Sequence, residues 1–410
     1  MKHYPKITAV ETLAVGAGWR NYHFVKLSTD AGITGWSEFD EDFGNPGIST
    51  IIAALSNRLI GKSVADHERL YSEMLMAARP ATIGVVAQAL GAIENALLDA
   101  KAKALEVPCA HLLGGVVRDR VPVYWSHCGT WRISRQPWYE PLVNHRDGVR
   151  ALGAEVRDRG FRGLKTNIYT YDPDGKPRGW ATGFGLPFDP GLNIEHKLID
   201  GLREHLGVLR EGAGPDVGIL LDLNFNAKPE GYLKIMRGIE DLGLFWLELD
   251  LLDADALADI RRKARMPIAS CETLTRPGSF VPFLTKQAVD IAIIDLLWNG
   301  AWQSMKIAAM ADAHDVNVAP HNFYGHLATM MNLHFAAATP NLRIMETDID
   351  RLARDAELFT REPQFEDGCI VVPDRPGWGT EPDEAALTRY PPNSTPNSVG
   401  LITCGSSMKN

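Results

Sequence analysis

Apolar and polar residues alternate with a period of two over residues 7–13, over 24–28 and, after a Thr29-Asp30-Ala31-Gly32 turn, over 33–38. Such alternation turns one face of each segment toward a core and the other toward water, which predicts a small antiparallel meander. From Gly47 the period lengthens: Ala92, Ile93, Ala96, Leu97, Ala100 and Ala104 share one helical face before Pro108 and the Gly114-Gly115 pair end the run. Residues 1–118 are therefore expected to form an α+β domain.

Beyond residue 118 the pattern is different. Short β-rich runs recur at 121–127, 163–168, 217–224, 245–249, 267–273, 289–295, 316–321 and 342–347, each followed by a longer amphipathic stretch. Eight such units are what an α/β barrel requires, and runs such as Ile291-Ala292-Ile293-Ile294 suit strands covered on both faces. The barrel is placed at 119–350. Residues 171–193 carry Pro173, Gly175, Pro177, Gly179, Gly183, Gly185, Pro187, Pro190 and Gly191, so a long loop is expected after the second strand, as a lid or an oligomer contact. The Ser-, Asn-, Pro- and Gly-rich residues 391–410 are expected to be a disordered or appended tail.

Composition narrows the class. With 45% hydrophobic and 23% charged residues over 410 positions, the chain can bury a large core, and no apolar run reaches the roughly 18 residues of a membrane span. No apolar segment follows Met1 to Pro5, so no export signal is expected and a cytoplasmic location is the default. Cys109, Cys128, Cys271, Cys369 and Cys404 are widely spaced with no Cys-x-x-Cys pair, which argues for reduced thiols. A net charge of −9 without a basic stripe excludes the footprint of a nucleic-acid binder, and an anionic substrate would need local cations.

The candidate chemistry lies at the C-terminal ends of the predicted strands: Lys165, Asp222, Glu248, Glu272, Asp295, His321 and Glu346. From Asp222 onward the intervals are 26, 24, 23, 26 and 25 residues, about one βα unit each, so these side chains are expected to converge at one barrel mouth. Asp222, Glu248 and Glu272 on adjacent strands form an oxygen-only set that would repel itself without a cation, and such a set favours magnesium over zinc. Each one alone would be an ordinary paired carboxylate. His321 alone would be a core histidine, but Asp295 on the preceding strand could fix its tautomer and raise its basicity, which makes it a candidate base. A lysine at a strand end is usually solvated, but Lys165 would here face carboxylates and a metal, which suits charge neutralisation or proton transfer; Asn167 and Tyr169 follow it on the same alternation. Glu346 is a candidate acid toward a substrate carboxylate. Arg20, Asn21, Asp40 and Asn45, in segments expected to close over the barrel, suit a polyhydroxylated ligand.

With these residues in view the chain resembles the enolase superfamily, in its mandelate racemase-like branch. Residues 25–38, from Val25-Lys26-Leu27 to Trp36-Ser37-Glu38, resemble that family's capping hairpin; Ala92-Ile93-Glu94-Asn95-Ala96-Leu97-Leu98-Asp99 and Gly114-Gly115 resemble the helix and double glycine leading into its barrel; Arg375-Pro376-Gly377-Trp378-Gly379 resembles its returning C-terminal segment. The resemblance implies a (β/α)7β modified TIM barrel with an N-terminal α+β capping domain completed by residues 351–390. It implies Asp222, Glu248 and Glu272 as ligands of one Mg2+ per active site, with Asn224 beside them in an Asp-x-Asn pattern. It also implies His321 with Asp295 as general base, Glu346 as the strand-eight acid and Lys165 as the first lysine of Lys-x-Lys. Superfamily sites are themselves a standard illustration of Lys or His bases paired with magnesium. Where a second lysine often stands, this chain has Asn167, which cannot exchange a proton at neutral pH. That favours dehydration of a sugar acid over racemisation, although Lys165 or Tyr169 could serve the other face. The alternatives are a racemase, epimerase or cycloisomerase, and a non-catalytic sugar-acid binder. A homo-oligomer, from dimer to octamer, is implied as well.

Overall fold

The structure is a computed structural model that describes residues 4–42, 46–79, 82–135, 138–179 and 194–393. The meander forms as the alternation dictates: β1 (Ile7–Ala17), β2 (Arg20–Thr29) and β3 (Thr34–Phe39) pair antiparallel in that order. Helices α1 (Ile48–Ser56), α2 (His67–Ala77) and α3 (Val85–Ala104) complete the domain. α3 is buried nearly all round because it is wedged between this sheet and the barrel. Gly35 of β3 permits that approach, since a Cβ there would lie 2.2 Å from the Ala96 carbonyl oxygen.

Eight parallel strands follow at the predicted places: β4 (Arg120–Ser126), β5 (Gly163–Thr166), β6 (Gly218–Asp222), β7 (Trp246–Glu248), β8 (Ile268–Ser270), β9 (Ile291–Asp295), β10 (Asn317–His321) and β11 (Met345–Asp348). The ring closes where β11 pairs with β4, and Val318 bridges to Leu342 between β10 and β11. Helices link successive strands, from Arg146–Asp158 after β4 to His326–Ala338 after β10. The last strand has no long helix of its own among the described residues, only Asp355–Leu358. The order is that of a (β/α)7β barrel.

The interior shows why chemistry gathers at one end. Tyr124, Leu220, Trp246, Ile293, Ala319 and Ile344 pack together inside the ring. Side chains two residues apart on a strand point the same way, so the residues two positions later, Ser126, Asp222, Glu248, Asp295, His321 and Glu346, stand directly above that apolar plug. Five strands, β4 to β8, end sooner than the sequence predicts. β4, β6 and β8 stop at Ser126, Asp222 and Ser270, and His127, Asn224 and Cys271 beyond them have φ of 46°, 45° and 89°. Left-handed residues of this kind cannot continue a strand, and they turn the chain at the rim.

Buried acids of the N-terminal domain dock it onto the barrel. Glu38 accepts from the Gly325 and Ala328 amides at 2.6 and 2.9 Å, at the start of His326–Ala338. Glu94 accepts from the Trp302 and Gln303 amides at 3.1 and 3.3 Å, at the start of Ala301–Asp312. Helix N-termini offer unpaired N–H groups and a positive dipole end, so both carboxylates are placed where anions are stabilised. The C-terminal segment ties both parts together. Cys369–Val371 pairs antiparallel with the start of β4, and Asp99 of α3 accepts from the amides of Trp36 and Trp378, each at 2.8 Å. Asn393 donates its amide to Asn21 Oδ1 at 2.8 Å, and the rest of the expected tail, 394–410, lies outside the described residues. Cys109, Cys128 and Cys271 are buried free thiols. Among the described residues no helix is long and apolar enough to cross a membrane.

Candidate active site

At the C-terminal rim of the barrel lies a cavity of about 440 Å³. Lys165, Asn167, Tyr169, Asp222, Asn224, Glu272 and His321 line it, together with Asp40 from the N-terminal domain. That volume suits a small metabolite. Arg20 is not in the lining. Its guanidinium is buried, donating to the Phe323 carbonyl at 2.7 Å and to Tyr22 Oη at 3.1 Å. Asn45 and residues 180–193 of the expected loop lie outside the described residues; the part that precedes them folds back as a hairpin of Tyr169–Tyr171 with Pro177–Gly179.

Asp222, Glu248 and Glu272 each bring a carboxylate oxygen within 4.8 Å of the other two. Asp222 accepts from the Asn224 amide at 2.8 Å and from its Nδ2 at 2.9 Å, and Glu248 accepts from Trp246 Nε1 at 3.1 Å. Burial, with repulsion from neighbouring acids added, pushes these acids up from the usual carboxylate range, even though Lys165 and, for Asp222 and Glu272, His321 work the other way. Lys165 Nζ lies 3.4 Å from Glu248 and 3.7 Å from Asp222 but only 2.8 Å from Glu346. One ammonium leaning away to a fourth acid does not balance the trio, so the donor set fits a hard divalent cation held by Asp222, Glu248 and Glu272.

Opposite Glu272 stands His321, whose Nε2 is 3.6 Å from Glu272 Oε1. Its Nδ1 is 2.6 Å from Asp295 Oδ2, which also accepts the Tyr324 hydroxyl at 2.6 Å, while Asp295 Oδ1 accepts the Trp298 amide at 2.9 Å. Asp295 can only accept here, so Nδ1 carries its proton toward Asp295 and Nε2 faces the cavity. Burial works against the imidazolium, but Glu272 and then Asp295 outweigh it and lift the ring to about 10; a divalent cation on the Glu272 carboxylate would remove the larger of these two pulls and so free Nε2 to act as a base.

Glu346 is the residue expected as an acid toward the substrate carboxylate. It is fully buried and absent from the cavity lining, and it accepts from Ser126 Oγ at 2.6 Å, the Asn322 amide at 2.9 Å and Lys165. Although burial opposes its charge, Lys165 and His321 hold it well below the usual carboxylate range. An anion with both oxygens engaged by donors accepts protons' hydrogen bonds and has none to give, so here it serves as the counter-charge of Lys165. Lys165 in turn is kept protonated by Glu248 and Glu346 despite its burial.

Sequence reading passed over Asp250, Tyr324 and His127. Asp250 lines the cavity two residues after Glu248, a position that strand alternation could have flagged. Tyr324 and His127 follow their strands, in segments whose direction no periodicity fixes.

These features define a class. The model of the mandelate racemase/muconate lactonizing enzyme N-terminal domain matches residues 1–114, and that of the enolase C-terminal domain-like family matches residues 149–386. The chain belongs to the mandelate racemase-like branch of the enolase superfamily. Among particular proteins, it is 58% identical to a Burkholderia xenovorans strain LB400 protein provisionally named L-alanine-DL-glutamate epimerase, solved with magnesium and fumarate; the TM-score is 0.95, over 98% of this chain and 99% of that one. It is 28% identical to a D-galactonate dehydratase family member of Streptomyces bingchenggensis, over 94% of this chain and 93% of the relative. It is 27% identical to the D-xylonate dehydratase of Haloferax volcanii, over 94% and 89%.

Proposed function

We propose that this protein is a magnesium-dependent acid-sugar dehydratase, which removes the proton beside a substrate carboxylate and expels the β-hydroxyl as water to give a 2-keto-3-deoxy acid. The observation that carries the reading is the asymmetry of the cavity: one imidazole–carboxylate pair, His321 with Asp295, faces the acidic trio, while the wall around Lys165 holds an ammonium locked among carboxylates and, at Asn167, an amide. The dehydratase names of the two curated relatives, and magnesium in the Burkholderia structure, support it.

A proton beside a carboxylate is weakly acidic because its loss adds a second negative charge to the group, so the doubly charged enediolate must be stabilised more than the ground state. A magnesium ion held by Asp222, Glu248 and Glu272 would supply Lewis-acid stabilisation of that charge. Lys165, protonated and partly neutralised by Glu346, adds a fixed positive charge at the floor. His321 takes the α-proton on Nε2, and Asp295 stabilises the resulting imidazolium. The same Nε2–H then protonates the departing β-hydroxyl, so the proton leaves in the water released and His321 returns to its starting state. The enol product tautomerises to the keto acid. Asn167, Tyr169 and Asn224 are assigned to substrate hydroxyls. The enzyme is expected to act on a small molecule as a homo-oligomer in the cytoplasm.

Incubation with magnesium and a panel of aldonic and aldaric acids should yield a 2-keto-3-deoxy acid from at least one of them, and silence across the panel would sink the proposal. The name of the 58% identical Burkholderia protein favours a second reading, an epimerase. Deuterium entering the α-carbon from solvent without loss of water would select it.

A further inference from the structure

The cavity holds a second imidazole that the mechanism leaves unused. His127 lies directly after β4 with φ of 46°, and its ring is stacked on Trp131 (centroids 5.2 Å, planes 23° apart) and packed at 5.4 Å from Phe323. Its Nδ1 is 2.7 Å from Ser126 Oγ. Ser126 has a single hydroxyl proton, and the Glu346 carboxylate 2.6 Å away takes it, because Glu346, bonded also to Lys165 and the Asn322 amide, can only accept. The remaining role for Ser126 Oγ is to accept from His127. Hydrogen-bond accounting therefore puts the His127 proton on Nδ1 and leaves a lone pair on Nε2, for which no partner exists among the described residues. His127 is part of the cavity lining.

We propose that His127 is a specificity-determining residue of the dehydratase reaction, presenting Nε2 as a hydrogen-bond acceptor to one hydroxyl of the sugar acid; this rests on the sugar-acid reading given above. The relay through Ser126 to Glu346 makes the choice selective. An acceptor whose tautomer is locked from behind rewards a hydroxyl and rejects an oxo group or ether at the same position. Burial, then Lys165, holds the ring down to about 3, so it stays neutral and weakly basic and does not compete with His321 for the α-proton. A left-handed residue with a Cβ is uncommon, and such conformations concentrate at ligand sites.

The test separates hydroxyl recognition from turnover. Binding is measured by calorimetry with magnesium in a His321→Asn background, using D-galactonate, D-xylonate and analogues of each that lack one hydroxyl. With His127 present, removal of one particular hydroxyl should weaken binding about tenfold, the scale of one hydrogen bond. His127→Phe keeps an aromatic ring between Trp131 and Phe323 but has no nitrogen; it should lose about tenfold for the parent acid and nothing further for that deoxy acid, the signature of a coupled pair. Ser126→Ala, which leaves the imidazole but frees its tautomer, should lose a smaller factor at the same hydroxyl. The proposal falls if His127→Phe binds the parent as tightly as before, if it weakens every deoxy acid by one common factor, or if no hydroxylated acid binds. A completed cycle with no 2-keto-3-deoxy product from the protein with His321 intact would overturn the dehydratase reading alone.

Discussion

Two groups of acids, one where the N-terminal domain docks and one at the barrel rim, are treated in opposite ways. Glu38, Glu94 and Asp99 are each fully matched: Glu38 and Glu94 by amides at helix starts, Asp99 by two amides and by Lys103 at 2.7 Å. Asp222, Glu248 and Glu272 are gathered within 4.8 Å of one another with too few donors among them. Burying a charge is costly unless it is paired, so the first arrangement is that of a joint and the second that of a receptor for something the chain does not itself contain. The contrast shows that burial of an acid by itself says little about function; what decides is whether the donors around it are complete.

The largest break in the comparison should come at the receptor. His321→Asn should lower turnover by about 10³-fold or more, the scale of a lost general base, while leaving the magnesium-induced rise in melting temperature intact. Product assays and thermal melts on the same preparation would check both halves.

Next in size is the response of the trio itself. Glu248→Gln should abolish the magnesium-induced rise in melting temperature and cost about 10²-fold in activity. In metal-free buffer the same variant should melt higher than the parent, since one repelling charge is gone. A lower metal-free melt would mean that the trio is already satisfied without a cation.

At the joint the sign reverses. Glu94→Gln leaves one acceptor oxygen where two are used, by the helix-start amides and by Gln303 Nε2, and sets an NH2 group against one of these donors, so it should destabilise by about 1–3 kcal/mol with or without magnesium, measured by denaturant unfolding. Equal loss in both buffers distinguishes a joint from a receptor.

The smallest effect is a pH slope. Burial lifts Glu94 from its ordinary value of 4.5 to about 7. A native carboxyl that keeps its proton longer than the unfolded one contributes stability that is complete below pH 4.5 and is lost as the pH rises through about 7. The parent protein should therefore lose stability relative to Glu94→Gln as pH rises across that window, and a flat difference between their unfolding curves would contradict it.

Much of this molecule could be read directly from local pattern. Periods of two and of 3.6 place the meander and the long helix, and recurring short apolar runs place the eight barrel strands, because burial is a local constraint that each segment obeys on its own. The even spacing of Asp222, Glu248, Glu272, Asp295 and His321 shows which side chains meet at the rim, since each βα unit returns the chain to the same end of the barrel. Tertiary structure alone decided the rest. Whether Glu346 donates or accepts depends on Lys165 at 2.8 Å, a residue 181 positions away in sequence, and the tautomer of His127 depends on that same carboxylate through Ser126. Arg20 looks like a ligand-facing cation in sequence, yet it is absent from the cavity lining and spends its guanidinium on Tyr22 and the Phe323 carbonyl. Periodicity fixes which face a residue occupies, but a proton's position and a charge's partner are settled only by what the remainder of the fold brings within about 3 Å of it.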